Sequence, residues 1–408
     1  MSENLRPRDH AEVEQAINWA LAGGKALELV GHGSKRAIGR AAQWNATLDL
    51  SGLSGITLYE PAELVLSAKA GTPITEIEAT VAANGQALAF EPMDYGPLFG
   101  GAADAATIGG VLAANLSGPR RIKAGAARDH FLGFNAVSGR GETFKSGGRV
   151  VKNVTGYDLC KLLAGSWGTL AAMTEVTIKT LPVAETEETV LVLKLDDATA
   201  VKAMTAVMGS AADVSAAAHL PASAAGRVKE IAGQGRPVTA FRLEGVAPSV
   251  SHRKALLKTL IAPFGELAFL DEKLSRALWR AIRDVRPLAA DGPAAGRVVW
   301  RISTAPSRGA EVGIALAERA HAEILYDWAG GLVWAALPPS DDAGASILRS
   351  IVGVAGGHAT LIRAPAAMRA KVDVFTPEPA ALAALTKRVR ESFDPQGILN
   401  AGRMWAGI

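Results

Sequence analysis

Residues 31 to 35 read Gly-His-Gly-Ser-Lys and follow directly on Ala26 to Val30, an apolar stretch that reads as a short strand. Glycine has no Cβ to hold an anion away from the backbone, so amides in such a loop approach a phosphate closely. Ser34 and Lys35 add a hydroxyl donor and a cation. A glycine loop after a strand is equally often a plain turn, and Lys35 alone reads as a solvated lysine, so the five residues by themselves leave both readings open. A nicotinamide-type fingerprint is excluded. Gly31 and Gly33 fit it and Asp49 stands at a suitable distance, but Arg36 occupies the third glycine position and no helical pattern begins there.

The chain has 408 residues, 49% of them hydrophobic, enough for two or three domains. Its one cysteine, Cys160, rules out an internal disulfide and a self-contained iron-sulfur cluster. Within a helical pattern that thiol reads as a small buried apolar residue. A net charge of +3 with scattered basic residues argues against nucleic acid as a partner. No apolar run reaches membrane-spanning length, and Met1-Ser2-Glu3-Asn4-Leu5-Arg6 lacks a signal core, so a cytoplasmic location is expected, with attachment to a membrane surface left open.

Several elements must position these residues. Asp9, with Glu12 three residues on, predicts a capping box for a helix carrying Val13, Ala16, Ile17, Ala20 and Leu21, which Gly23-Gly24 stops. Leu64, Leu66, Ala68 and Ala70 alternate as a strand; Thr72 is predicted to cap a helix with Pro73 at its first position. Residues 90 to 123 are rich in glycine and alanine and predict a long ordered loop threaded against something other than its own side chains. A hairpin about Gly139-Arg140-Gly141, a helix from Tyr157 to Ala164 and a strand through Val176 and Ile178 follow. The second half changes character, with strands at 189–195, 213–219, 237–244 and 264–270, helices at 197–209 and 250–262, and a similar set over 297–363. That pattern predicts an α+β domain of ferredoxin-like layers.

Taken in order, the early glycine loop, Thr107-Ile108-Gly109-Gly110, Gly156-Tyr157-Asp158-Leu159, Gly165-Ser166-Trp167-Gly168-Thr169-Leu170 and Thr174-Glu175-Val176-Thr177 resemble the FAD-binding domain of the vanillyl-alcohol oxidase and p-cresol methylhydroxylase superfamily. The ending, Phe393-Asp394-Pro395-Gln396-Gly397-Ile398-Leu399-Asn400-Ala401-Gly402-Arg403, resembles that of its FAD-linked hydroxy-acid oxidase branch. Ser117-Gly118-Pro119-Arg120-Arg121, the run Lys152-Asn153-Val154-Thr155-Gly156-Tyr157-Asp158 and the overall length resemble the smaller FAD-binding subunits of glycolate oxidases.

The resemblance implies an α+β protein: a two-lobed FAD-binding domain of the p-cresol methylhydroxylase (PCMH) type over 1–184, a ferredoxin-like cap over 185–378, and a segment, 379–408, that returns to the first domain. It implies that Gly31, His32, Gly33, Ser34 and Lys35 wrap the FAD diphosphate, that Pro92, Thr107, Ile108, Gly109, Asn115, Ser117 and Gly118 line the flavin, and that Gly168, Thr169 and Val176 complete the pocket. Covalently flavinylated relatives carry a histidine where Ser34 stands, so non-covalent FAD is expected. It also implies a larger FAD-linked catalytic subunit and an iron-sulfur subunit as partners, a small 2-hydroxy acid such as glycolate as substrate, and peripheral membrane association through the complex.

Oxidising a 2-hydroxy acid requires a hydride acceptor, a base for the hydroxyl proton and a cation or metal for the carboxylate. The histidine-rich metal motif of catalytic relatives is absent here, so no metal site is expected. His358 and Arg363 remain as catalytic candidates, although a regular strand would set them on opposite faces. Arg120, Arg121 and Arg128 read either as an anion or partner site or as a solvated basic loop. Two other functions compete: a flavin-bearing scaffold without turnover, and a self-sufficient D-lactate-type dehydrogenase.

Overall fold

The computed structural model describes residues 3–148 and 156–406. The stretch Lys152-Asn153-Val154-Thr155 lies outside the described residues. Strands β1 (Glu3–Leu5), β2 (Leu27–Val30) and β3 (Ala46–Asp49) form a parallel sheet in the order β1-β3-β2. Helix α1 (His10–Ala22) lays Val13, Ile17 and Ala20 against it. Asp9 caps α1 by accepting from the Glu12 amide at 2.9 Å, but Glu12 turns its carboxylate to the Arg8 amide and guanidinium, so only half of the capping box forms.

The second lobe is an antiparallel sheet in the order β4-β5-β9-β7-β8, from β4 (Ile56–Glu60), β5 (Val65–Lys69), β7 (Phe131–Ser138), β8 (Thr143–Gly147) and β9 (Ala171–Lys179). The short β6 (Gln86–Ala87) and β10 (Leu181–Pro182) pair beside it. Helix α2 (Ile74–Ala82) starts after Pro73 with no side-chain cap. Thr72 instead spends its hydroxyl on Gly55 and the Lys69 carbonyl, which corrects the expected cap. The expected long loop is broken by three short helices, α3 (Gly96–Phe99), α4 (Ile108–Ala113) and α5 (Arg121–Ala124), and α6 (Leu159–Leu163) follows the hairpin. Glycine and alanine mask helical periodicity there because close backbone packing, rather than an apolar stripe, holds the turns; a Cβ on Gly109 would lie 2.8 Å from the Ala70 carbonyl oxygen.

The cap contains β11 (Thr186–Leu193), α7 (Asp197–Met208), β12 (Ala216–Leu220), α8 (Ala222–Ala225), β13 (Val238–Gly245), α9 (Ala247–Ile261), β14 (Leu267–Leu270) and α10 (Glu272–Arg283). A second unit adds β15 (Val298–Ser303), α11 (Gly309–Ala320), β16 (Glu323–Asp327), β17 (Leu332–Leu337), α12 (Ala345–Ala355) and β18 (His358–Arg363). The sheet order β14-β11-β13-β12-β16-β17-β15-β18 is two ferredoxin-like units joined edge to edge, each with its two central strands flanked by its fourth and second. They meet where His219 pairs with Tyr326. There, the His219 ring contacts Thr239 at 2.9 Å and Asp197 at 3.3 Å, and the Tyr326 hydroxyl donates to Asp197, so the polar groups at the seam are satisfied.

One face of this sheet is covered by α7, α9, α11 and α12, with Trp300, Phe241 and Tyr326 in that core. The other face, through Leu191, Leu220, Val299 and Trp334, joins one apolar cluster with Ile108, Leu112, Phe90 and Tyr95 of the first half. After α13 (Ala366–Lys371) and α14 (Ala380–Phe393) the chain returns: Leu399 bridges Leu27, and the Leu27 amide donates to the Ile398 carbonyl at 2.7 Å.

Two helical glycines of the cap test the tightness of its packing with opposite signs. A Cβ on Gly313 in α11 would fall 1.9 Å from the Tyr326 hydroxyl oxygen, whereas one on Gly353 in α12 meets nothing within 4 Å. Gly353→Ala is expected to stabilise the cap by ~0.5–1 kcal/mol through helix propensity, and Gly313→Ala to destabilise it by ~1–3 kcal/mol through overpacking. Urea midpoints of the two variants against the parent check both signs.

Candidate functional site

The loop after β2 turns back through the Arg36 amide, which donates to the Gly33 carbonyl at 2.9 Å. Gly33 has φ +76°, a left-handed conformation that favours glycine. Gly31 has no room for a side chain, because its Cβ would stand 2.4 Å from Thr107 Oγ1 at the start of α4. These two constraints press bare backbone against the Thr107–Gly110 turn and leave a cleft open to solvent. Gly31, His32, Gly33, Ser34, Lys35, Thr107, Gly109 and Gly168 all border it, together with Leu29, Trp167, Met173, Asn400 and Arg403.

Asn400 ties the far wall together. Its Oδ1 accepts from the Leu29 amide at 2.8 Å and its Nδ2 donates to the Trp167 carbonyl at 2.7 Å, joining β2, the 165–169 turn and the C-terminal segment. Trp167 (φ 55°) and Asn400 (φ 45°) both sit in the left-handed region, a strain that the surrounding hydrogen bonds must hold in place.

Two cations stand in this cleft. Burial pulls the Lys35 ammonium down to about 8, with Asp94 partly restoring it and Arg403 opposing; among the described residues its Nζ donates only to Ser34 Oγ, at 3.0 Å. Arg403 is 5% exposed, and burial lowers it to about 10 despite Glu28. Its Nη2 donates to the Lys35 carbonyl at 2.9 Å, while Nε and Nη1 are buried with no hydrogen-bond partner among the described residues. Orphaned buried guanidinium N–H groups beside a loop without side chains call for an anion. Next to them, Leu29, Trp167 and Met173 offer apolar surface for a ring system. Phosphate-accepting backbone, two cations and apolar walls fit a dinucleotide such as FAD.

The other residues that the resemblance named fall into two groups. Pro92, Asn115, Ser117 and Gly118 lie in the segments that run from this cleft toward the cap: Ser117 Oγ accepts from the Ala127 amide at 2.9 Å, Asn115 Oδ1 accepts from the Arg128 amide at 3.1 Å, and the Gly118 amide donates to the Phe90 carbonyl at 2.9 Å. The side chains of Ile108 and Val176 are 0% exposed inside the core, and Thr169 Oγ1 donates to the Ser166 carbonyl at 2.7 Å, so these three shape the walls rather than line the cleft.

The two catalytic candidates part company. Arg363 donates to the carbonyls of Leu98, Leu288, Ala294 and Arg297, all between 2.6 and 3.2 Å, which commits it to fastening β18. His358 is exposed at the start of the strand, and burial, then Arg301 and Arg121, lower its pKa. A register shift opposite Val299 and Trp300 reverses the alternation within β18, so His358 and Arg363 share a face; this corrects the expectation from a regular strand.

An ion network joins the domains. Glu91 accepts from Arg242 at 2.8 and 2.9 Å and from the Arg120 amide at 2.9 Å, and Arg120 in turn pairs with Glu244. Burial alone would raise Glu244, but Arg242 and Arg120 outweigh it and hold the carboxyl at about 2. The sequence reading missed this network. Its signal was the alternation Phe241-Arg242-Leu243-Glu244, charges set within a strand otherwise apolar enough to be buried.

The fold and site define an FAD-linked oxidoreductase. An FAD binding domain family model matches residues 4–147. The fold matches that of p-cresol methylhydroxylase with substrate bound, with a TM-score of 0.74 at 12% identity, covering 98% of this chain and 88% of that one. It also matches alkyldihydroxyacetonephosphate synthase, with a TM-score of 0.72 at 16% identity, covering 97% of this chain and 75% of that one.

The chain belongs to the FAD-linked oxidase family of the Escherichia coli glycolate oxidase subunit GlcE, to which it is 30% identical over 414 residues, 99% of this chain and 100% of the relative. FAD is therefore its cofactor. A D-lactate dehydrogenase of Archaeoglobus fulgidus is 36% identical over 141 residues, 32% of each chain.

A diphosphate beside Lys35 raises its pKa above the value of about 8 in the unliganded chain, so FAD binding takes up a proton between the two values. FAD affinity is expected to be full below about pH 8 and to fall by up to about tenfold per pH unit above it. Lys35→Met is expected to weaken FAD binding and flatten that profile. Flavin fluorescence titrations across this range check the slope, and identical slopes in parent and variant contradict it.

Proposed function

We propose that this chain is the FAD-binding subunit of a glycolate-type 2-hydroxy-acid dehydrogenase, passing electrons from its flavin to an iron-sulfur partner or a quinone. The observation that carries this reading is likeness along the whole length to glycolate oxidase subunit GlcE, glycine loop and C-terminal segment included. A second relative supports a larger flavin-bearing partner: glycolate oxidase subunit GlcD of Bacillus subtilis is 42% identical over 87 residues, 21% of this chain and 18% of the relative. With one cysteine, buried and pushed up to about 12 by burial, the chain has no thiolates of its own for a cluster, so the onward carrier belongs to another protein.

In this reading residues 1–184 hold FAD, 185–378 cap it and 379–408 close the cleft. Gly31 to Lys35 and Arg403 hold the diphosphate, while Pro92, Asn115, Ser117 and Gly118 approach the flavin ring. Attachment is non-covalent, since Ser34 stands in the loop and His32 is exposed two residues earlier. Bound FAD supplies an acceptor for the hydride that leaves the carbinol carbon. The chain's own part is to position that cofactor, exclude water beneath the cap and hold the substrate's charge. No helix among the described residues is long and apolar enough to cross a membrane, and we place the complex in the cytoplasm, where it reaches the membrane through a partner.

The test is spectroscopic. The purified chain is expected to be yellow, to release its FAD on denaturation, and to bleach anaerobically with glycolate once the larger subunit is present. Steady turnover of glycolate by the isolated chain would contradict the subunit reading, and a colourless chain that takes up no FAD would remove its basis.

A further inference from the structure

Arg301 stands in β15 opposite Trp334, on the sheet face that meets the first domain, and its guanidinium lies over the indole of Trp328 at 5.0 Å. Arg121, from α5 of the first domain, lies over the same indole at 4.4 Å. The ring is fixed from its edge, where Nε1 donates to the Gly118 carbonyl at 3.0 Å. His358 pairs with Ser303 in regular register and so lies on the face of Arg301, and Tyr95, 2% exposed, faces Arg301 from the first domain.

The neighbouring arginines show what is unusual here. Arg120 pairs with Glu244, Arg297 with Glu323, Arg242 with Glu91, and Arg363 is saturated by carbonyls. Arg121 and Arg301 form neither an ion pair nor a side-chain hydrogen bond with any described residue, although burial lowers both. The acids nearest them are poor counter-ions. Burial pushes Asp327 up to about 7, and Asp129 lies against Arg128 at 3.8 Å. Stacking on an indole holds a guanidinium plane in place while its N–H edge stays free to bind a carboxylate through two parallel hydrogen bonds. Two guanidinium cations drawn together without an ion-paired acid are stabilised by a bound anion.

We propose that Arg121 and Arg301, steadied by Trp328, form a carboxylate site split between the flavin domain and the cap, which takes a small 2-hydroxy or 2-oxo acid and clamps the two domains together. The choice of a hydroxy acid rests on the function proposed above; the existence of an anion site does not. The site adjoins Gly118, in the segment that the proposed function sets near the flavin, so a small acid held there lies at the interface between cap and flavin domain. Because one guanidinium comes from each domain, binding rigidifies the pair as well as orienting the ligand.

Oxalate, which is not oxidised at a carbinol carbon, probes the site without turnover. Calorimetric titration of the FAD-loaded chain at constant ionic strength is expected to show oxalate binding that weakens at least tenfold in Arg121→Gln and in Arg301→Gln. Arg301→Lys, which keeps the charge and loses the fork, should fall between parent and glutamine variant. Oxalate should also raise the melting temperature of the parent and of neither glutamine variant, and an unchanged flavin spectrum certifies each variant as folded. Equal oxalate affinity in parent and variants, no binding to the parent, or equal stabilisation by chloride overturns the proposal. Failure to take up FAD is read separately in the same spectra and counts against the functional reading instead.

Discussion

Two cations that form no ion pair with any described residue, the half-buried Lys35 and the buried Arg403, stand beside a stretch of bare backbone and are the constraint on which the rest of the structure turns. Lys35 and Arg403 come from opposite ends of the chain, and Arg403 reaches the Lys35 carbonyl through the one guanidinium nitrogen that finds a partner among the described residues. Leaving such groups unsatisfied costs about 1–3 kcal/mol each, more where charge is involved. A fold that retains them has them matched to something it binds. The return of the C-terminal segment, the bridge from Leu399 to Leu27 and the double hydrogen bond of Asn400 all serve to hold that arrangement open and in register.

The cap is built on a different balance. Its charges at the domain boundary are paired through Glu91, Arg120, Arg242 and Glu244, which fixes how the eight-stranded sheet sits on the first domain. A short distance away, Arg121 and Arg301 stack on one indole and pair with no acid among the described residues. The contrast between a neutralised clasp and an unneutralised one, on the same interface, separates the part of the boundary that holds the domains from the part available to a ligand. Non-glycine residues with positive φ occur at both places, Glu91 and Trp328 at the boundary, Trp167 and Asn400 at the cleft, as they do elsewhere in the chain.

Much of this could be read from residue order. The strand into Gly31 to Lys35, the alternation of Leu66 and Ala68, and the βαββαβ spacing of the second half follow from periodicities that burial imposes directly. What could not be read was contact between distant segments. Thr72 looks like a helix cap from its neighbours alone, and only the approach of Gly55 shows why its hydroxyl is otherwise engaged. The parity of His358 and Arg363 depends on a bulge that no local pattern marks, and Arg403 acquires meaning only when it meets Lys35 across 368 residues. Arg301 was readable in principle, as one charge among Val298, Val299, Trp300 and Ile302, yet its partner on the first domain was not.

The most direct measurement of the central claim is a crystal structure of the chain with FAD bound. The account predicts the diphosphate against the amides of residues 31 to 35, with Lys35 Nζ and the free Arg403 nitrogens within hydrogen-bond distance of the cofactor. A cofactor lodged elsewhere, touching neither Lys35 Nζ nor Arg403 Nε and Nη1, would contradict it.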